Sequence, residues 1–119
     1  MNVLLVEDDP ATCMTLRSCL LKRGLRCDVA INLEEALSML EKDSYASVLI
    51  EMSLPNSSGF DTARTISWYR VKTKILALVD KDTRVKSSAL RRAGVAGYIT
   101  KPVSQKGVDR VIDRLMGLA

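Results

Sequence analysis

Five short apolar runs alternate along the chain with five segments in which apolar residues recur every three or four positions. The runs are rich in Val, Ile and Leu, and charged or turn-forming residues bound them. Apolar strands that alternate with amphipathic helices are typical of a parallel sheet covered by helices on both faces. The sequence therefore predicts an α/β domain with strands at residues 3–6, 25–30, 46–50, 74–79 and 97–100.

Capping residues indicate where the helices between these strands begin and end. Asp9-Pro10 predicts a helix start, and Lys22-Arg23-Gly24 predicts the end of that helix. Asn32, with Glu35 three residues later, predicts the cap of the second helix. We expect the fourth helix at 83–93, closed by Gly94, and the fifth at 104–118. The predicted apolar faces comprise Cys13, Leu16, Leu20 and Leu21; Leu33, Ala36, Leu37 and Leu40; Phe60, Ala63, Ile66 and Trp68 or Tyr69; and Val108, Val111, Ile112 and Leu115.

The length and composition fit one ordinary globular domain. The chain has 119 residues, of which 47% are hydrophobic and 27% charged. Its apolar runs are all far shorter than the ~20 residues that a membrane-spanning helix needs. The first residues lack the basic segment of a signal peptide. We therefore expect a cytoplasmic protein without membrane contact.

The three cysteines and the absence of histidine limit the chemistry. Cys13, Cys19 and Cys27 have no C-x-x-C spacing, so a zinc site or a disulfide framework is not expected. Cys13 and Cys19 are predicted on a helix and Cys27 in a strand. Without histidine there is no Ser-His or Cys-His catalytic pair. We do not expect an enzyme.

The net charge of +4 is unevenly distributed. Residues 1–59 carry 5 basic and 9 acidic side chains, whereas residues 60–119 carry 13 basic and 5 acidic. Such asymmetry is compatible with an anionic partner or with solvated helix faces. The basic set Lys81, Arg84, Lys86, Arg91 and Arg92 lies around the fourth predicted helix.

Carboxylates follow several of the predicted strands. Glu7 and Asp8 come after the first strand, Glu51 after the third, Asp80 after the fourth and Lys101 after the fifth. The carboxyl ends of parallel strands share one edge of the sheet, so these side chains should lie together. Crowded carboxylates repel one another and need either a hard divalent cation or the Lys101 ammonium between them.

Three stretches resemble a response-regulator receiver domain, the CheY-like family, over the full length of the chain. They are residues 6–10 (Val-Glu-Asp-Asp-Pro), Glu51 with Pro55 and Gly59 beyond it, and residues 93–102 (Ala-Gly-Val-Ala-Gly-Tyr-Ile-Thr-Lys-Pro). The resemblance implies a doubly wound, five-stranded parallel sheet of order 2-1-3-4-5. It also implies a switch in which an Asp after the third strand takes a phosphoryl group from a histidine kinase in the presence of Mg²⁺.

Most of the family's site residues have counterparts here. The resemblance assigns Glu7 and Asp8 to the acidic pair that binds Mg²⁺ together with the phosphoacceptor. It assigns Lys101 to the Lys that pairs with the phosphoryl group. It assigns Tyr98 to the aromatic switch position, and it implies a cis peptide bond between Lys101 and Pro102.

Two positions depart from the family pattern. Glu51 stands where the family has the phosphoacceptor Asp, and Val79 stands where it has a hydroxyl residue. The Glu51 carboxylate reaches ~1.5 Å further than that of Asp, and in phosphoryl transfer a ~1 Å misplacement can cost ~100-fold. It can also reach Lys101 directly. Val79 cannot donate the hydrogen bond of the hydroxyl residue that it replaces.

We therefore expect residues 1–119 to form one atypical receiver, compatible with the N-terminal part of a longer transcription regulator, that acts without phosphorylation. Binding of Mg²⁺ by Glu7, Asp8 and Glu51 should be weak or lost. The expected partner is another protein or a second copy, bound through the fourth helix, fifth strand and fifth helix. A histidine kinase is disfavoured as the input, and nucleic acid would be reached only through a further output domain.

Two alternatives remain open from the sequence. One is a functional phosphoacceptor receiver of a two-component phosphorelay, with Glu51 or Asp8 as the acceptor. The other is a sensor of a small ligand or nucleotide at the same strand ends, although the chain has no Gly-rich phosphate loop.

Overall fold

The computed structural model describes residues 2–53, 58–70, 72–82 and 86–115. They form a five-stranded parallel sheet with the strand order β2-β1-β3-β4-β5, which confirms the predicted fold. In chain order the elements are β1 (Asn2–Val6), α1 (Pro10–Leu21), β2 (Arg26–Ala30), α2 (Leu33–Lys42), β3 (Ser47–Glu51), α3 (Gly59–Tyr69), β4 (Lys74–Asp80), α4 (Ser87–Arg92), β5 (Val95–Lys101) and α5 (Gln105–Leu115).

The sheet is buried on both faces because side chains of alternating direction enter two separate cores. In β1, Leu4 and Val6 pack into one core, whereas Val3 and Leu5 pack into the other. The first core also receives α2, α3 and α4, and the second receives α1 and α5. The central strand β3 is buried at every residue, which explains why its sequence is a continuous apolar run up to Glu51.

The predicted capping residues have the expected geometry. The Asp9 carboxylate accepts a hydrogen bond from the Thr12 amide at 3.1 Å, and the Asn32 side chain accepts one from the Glu35 amide at 2.8 Å. Gly94 ends α4 with a φ of 86°, in the left-handed region that favours glycine. These local bonds fix where the helices start and stop, and thus where the strand ends lie.

Three details of the predicted pattern are wrong. Strand β5 begins at Val95, two residues early, because Val95 already pairs with Ile75 before an irregularity in the β4–β5 register. Leu21 is 69% exposed and Trp68 is 88% exposed. Helix α3 buries the row that contains Ala63 and Ile66, so Trp68 lies on the opposite, outward side rather than at the edge of the core.

Some predicted features lie outside the described residues. They are the loop positions Pro55 and Asn56, residues 83–85 of the predicted fourth helix with the cation Arg84, and the end of the fifth helix at Leu118. The predicted start of the fourth helix is a fourth wrong detail, because Lys86 has an extended backbone and caps α4, which begins only at Ser87. Among the residues that the structure does describe, no helix is long and apolar enough to cross a membrane.

The cysteines lie where the sequence predicted. Cys13 and Cys19 are on α1 and Cys27 is in β2, and all three are free thiols. Burial raises the pKa of the Cys27 thiol to about 11. A buried thiol of this kind is a packing residue rather than a nucleophile.

Candidate functional site

The carboxyl ends of β1, β3 and β5 bring two acidic side chains and one lysine together. Glu7 directly follows β1, Glu51 is the last residue of β3, and Lys101 is the last residue of β5. Glu7 is 1% exposed and Glu51 is 4% exposed, so both carboxylates are buried. The Lys101 side chain retains 24% exposure.

The ammonium of Lys101 bridges the two buried carboxylates. Its Nζ lies 3.2 Å from Glu7 Oε1 and forms a second, closer ion pair with Glu51 Oε2. Lys101 acts on these two oxygens both through its charge and as a hydrogen-bond donor.

The other two carboxylate oxygens accept hydrogen bonds from the backbone. Glu7 Oε2 accepts one from the Asp8 amide at 3.0 Å, and Glu51 Oε1 accepts one from the Ser53 amide at 3.1 Å. Each of the four oxygens thus faces either a backbone N–H group or the Lys101 ammonium. A buried carboxylate needs such partners, because an unpaired buried charge is strongly destabilising.

The charges of this cluster shift two pKa values. Burial raises the pKa of Glu7, and the neighbouring Glu51 charge raises it further, which outweighs the lowering by Lys101. Burial acts to lower the pKa of Lys101, but the hydrogen bond and charge of Glu51, together with Glu7, raise it overall. The lysine is thus held in its charged form, whereas Glu7 is held less firmly in its own.

The predicted metal ligands Glu7, Asp8 and Glu51 do not form a metal-binding arrangement. The Asp8 side chain is exposed, and the inner oxygens of the two glutamates face Lys101 instead of an open space between carboxylates. Across the described ranges, no group of three or more His, Cys, Asp or Glu side chains is placed to hold a metal ion. Mg²⁺ needs several oxygen ligands in octahedral geometry, so this arrangement does not fit the ion that the resemblance implies.

Val79, the predicted switch position, is part of the hydrophobic core. It lies one residue before the end of β4, is buried, and packs in the same core as Ala77, Leu90 and Val95. In the β4–β5 register its Cα partner is Thr100. Val79 thus presents methyl groups, with no hydroxyl to donate, close to the strand ends.

Tyr98, the other predicted switch residue, lies in β5 before the strand end at Lys101. It is 51% exposed and lines a groove between β5 and α5. The Lys101–Pro102 peptide bond is cis, as the resemblance implied.

Two further groups lie near the strand ends: the Asp80 side chain, which the sequence analysis considered, and the Ser53 amide, which it did not. Asp80 is the last residue of β4 and lies opposite Lys101 in the register, but its side chain is exposed, in agreement with a solvated position. The Ser53 amide, which holds Glu51, was not identified. A backbone donor leaves no mark in the residue type, so only the general rule that buried carboxylates need donors could have pointed to it.

Comparison with known proteins identifies the family. The model of the response regulator receiver domain matches residues 3–113, so the chain belongs to the receiver domain family of two-component signalling. The cell cycle transcriptional regulator CtrA of Caulobacter vibrioides is 33% identical over 118 residues, which are 97% of this chain and 48% of that protein. The chain thus spans about half the length of this relative.

A second relative and two solved structures agree. The aerobic respiration control sensor protein ArcB of Escherichia coli is 30% identical over 96% of this chain and 15% of that protein. The chemotaxis protein CheY4 of Vibrio cholerae has a TM-score of 0.87 at 21% identity and covers 96% of this chain and 97% of its own. A response regulator receiver protein from Burkholderia phymatum has a TM-score of 0.85 at 21% identity, with coverages of 99% and 96%. At these identities the two structures show the fold alone.

Proposed function

We propose that this receiver domain signals without phosphorylation, by binding a protein partner, with its strand-end site held in one state by an internal ion-pair cluster. The observation that carries the proposal is the bridge from Lys101 to Glu7 and Glu51. The ammonium supplies positive charge that a metal ion would otherwise supply. Together with the Asp8 and Ser53 amides, it engages both carboxylates without a further ligand.

The reach of Glu51 supports this reading. Its carboxylate spans the distance to Lys101 and is also held by the Ser53 amide. Attack on a phosphoryl donor needs an exposed carboxylate oxygen in line with the leaving group. Both Glu51 oxygens are engaged and the side chain is buried, so phosphorylation would have to break the ion pair first.

Val79 supports the same proposal, because it stands at the position that would detect a phosphoryl group. A phosphoryl group at Glu51 would need a hydroxyl near the end of β4 to report its presence. Val79 offers none, and its burial in the α4-side core makes it a packing residue. Both the residue that would accept the phosphoryl group, Glu51, and the residue that would detect it, Val79, thus differ from the family pattern.

The output of the domain, under this proposal, is a protein contact at α4, β5 and α5, in the cytoplasm. Kinship to CtrA, which is named as a transcriptional regulator, supports a place in transcription regulation. Any contact with nucleic acid would come through an output domain. Mg²⁺ is not required for this function.

Intact-mass spectrometry after incubation with phosphoramidate and Mg²⁺ tests the proposal. We expect no phosphoryl adduct on the wild-type chain. The double variant Glu51→Asp/Val79→Thr restores the family's residue types and is the matched positive control, with folding checked by circular dichroism. A stoichiometric adduct on wild-type Glu51 or Asp8 would overturn the proposal and establish the alternative, a phosphoacceptor receiver of a phosphorelay.

A further inference from the structure

One surface of the molecule exposes a set of basic side chains. We call it the basic face. Among the described residues of α4, β5 and α5, and the residue that caps α4, the exposed charged residues are all basic, whereas Asp109 and Asp113 are half-buried. The exposed basic residues are Lys86, Arg91, Arg92, Lys106, Arg110 and Arg114.

The acidic residues of α5 are engaged by another element. Asp109 and Asp113 both pair with Arg23 near the end of α1, at 3.2 and 2.5 Å. These ion pairs tie α5 to α1. The exposed acids Asp80 and Asp82 lie at and after the end of β4, outside the basic face as defined. The exposed cations of the face therefore outnumber its acidic residues, and those acidic residues are already paired.

Three cations of α5 lie in one row along the helix. Lys106, Arg110 and Arg114 are spaced four residues apart, and all three are exposed. Asp109 and Asp113 lie three residues after Lys106 and Arg110, but both pair with Arg23. The row is therefore available to a partner of opposite charge.

The basic face also has a shape that a side chain or peptide can enter. A groove of about 330 Å³ runs between β5 and α5. Tyr98, Ser104, Arg110 and Arg114 are among its lining residues. Within the described residues, strand β5 forms the edge of the sheet and pairs with β4 alone, so the groove lies beside an edge strand.

We propose that the basic face binds an acidic segment of a different protein and is not a surface for self-association. Charge complementarity favours such a partner, because opposite charges steer association whereas like charges across an interface disfavour it. Two copies joined through this face would set one row of cations against another. The inference rests on the proposed function and names the chemistry of its partner.

The same surface favours a protein segment over nucleic acid. Both α4 and α5 pack against β5 or its neighbouring core, and neither projects as a free helix that could enter a DNA groove. The lining of the groove includes a phenol, two hydroxyls and two guanidinium groups. That set can bind both carboxylate side chains and the peptide backbone.

Fluorescence anisotropy with a labelled dodecapeptide of Glu and Asp tests this inference on the whole chain. We expect binding that weakens as salt is added and that falls at least about tenfold in Arg110→Glu/Arg114→Glu. The matched control Arg17→Glu/Arg26→Glu changes the net charge equally at exposed positions of α1 and β2 and should bind like the wild type. Amide shifts in ¹⁵N spectra should cluster on the basic face.

Several results would overturn the inference. They are absence of peptide binding, equal loss in both double variants, and tighter binding of a duplex DNA than of the peptide at the same salt concentration. Self-association in ultracentrifugation that Arg110→Glu/Arg114→Glu abolishes would also overturn it. If peptide binding fails while phosphoramidate leaves no adduct, only the partner assignment fails. A phosphoryl adduct refutes the proposed function whatever the peptide does.

Discussion

The charged residues of the strand-end cluster (Glu7, Glu51 and Lys101) are mostly buried and paired, whereas those of the basic face are exposed. At the strand ends, the buried carboxylates of Glu7 and Glu51 are paired with Lys101 inside the domain. On the basic face, cations such as Arg110 and Arg114 remain exposed, while the aspartates of α5 pair with Arg23 instead. Charge that is paired internally contributes to the fold, whereas charge left exposed is available to a partner. The two regions should therefore respond differently to mutation.

The largest effect is expected at Lys101. Lys101→Met removes the only cation of the cluster and leaves two buried carboxylates facing each other, so the free energy of unfolding should fall by about 3–5 kcal/mol. Urea denaturation measures it. Lys106→Met, at an exposed position on α5, is the matched control and should change stability by less than about 0.5 kcal/mol. A loss at Lys101 as small as that of the control would show that the bridge does not stabilise the fold.

A smaller effect is expected at Glu51. Glu51→Gln removes one of the two carboxylates, relieves its repulsion with Glu7 and keeps the Glu7–Lys101 pair, so stability should change by about 1 kcal/mol or less, in either direction. The same urea experiment compares it with Lys101→Met. Equal losses in the two variants would contradict an account in which one ammonium bridges two carboxylates that repel each other.

The pH dependence of stability should reveal Glu7. Its pKa is raised above the ordinary value of 4.5, so the folded protein binds this proton more tightly than the unfolded chain. The wild type should therefore gain stability as the pH falls from neutral through the raised pKa towards 4.5. In Glu7→Gln this gain should be absent, and denaturation of both proteins over that range measures the difference. If the wild type instead lost stability relative to Glu7→Gln over this pH range, the pKa of Glu7 in the folded protein would be lowered, not raised.

Lys101 should contribute in a different pH range. Its raised pKa means that its stabilisation is fully present below the ordinary value of 10.5 and is lost only as the pH rises through the folded-state value. Lys101 therefore stays charged between neutral pH and pH 4.5, and stability changes over that range do not arise from its titration.

The smallest effect is expected on the basic face. Arg110→Glu/Arg114→Glu replaces exposed side chains, and it also relieves like-charge contacts along α5. Stability should therefore stay within about 0.5 kcal/mol of the wild type. Thermal unfolding followed by circular dichroism provides the measurement. A marked destabilisation would mean that the face contributes to the fold and would remove the contrast with the strand ends.

Local patterns in the sequence were sufficient for the architecture. The apolar runs predicted the five strands, and Asn32 and Gly94 marked helix ends by bonds or dihedral angles that depend on adjacent residues. Features set by distant parts of the chain were less accessible. The pairing of Arg23 with Asp113 joins residues 90 positions apart, and nothing in their local sequence indicates it.

The sequence predicted which residues form the candidate site but not which positive charge lies between its carboxylates. Parallel strand ends predicted that Glu7, Glu51 and Lys101 would meet, and they do. The sequence left open whether a metal ion or the ammonium lies between the carboxylates, because either balances the charge. That choice depends on distances of a few ångströms. The exposed position of Trp68 was missed for a related reason, since the apolar residue types of α3 do not fix which row faces the core.

The most direct test of the central claim is an Mg²⁺ titration followed by ¹⁵N spectra of the wild-type chain. The claim is that Lys101 occupies the place of a cation between Glu7 and Glu51. It predicts that the amides of Asp8 and Ser53, which donate to these carboxylates, show no saturable shift up to millimolar Mg²⁺, whereas Lys101→Met gains one if it remains folded. Saturable shifts of both amides in the wild type would contradict the claim, because they would show that the ion enters the site in the presence of the lysine.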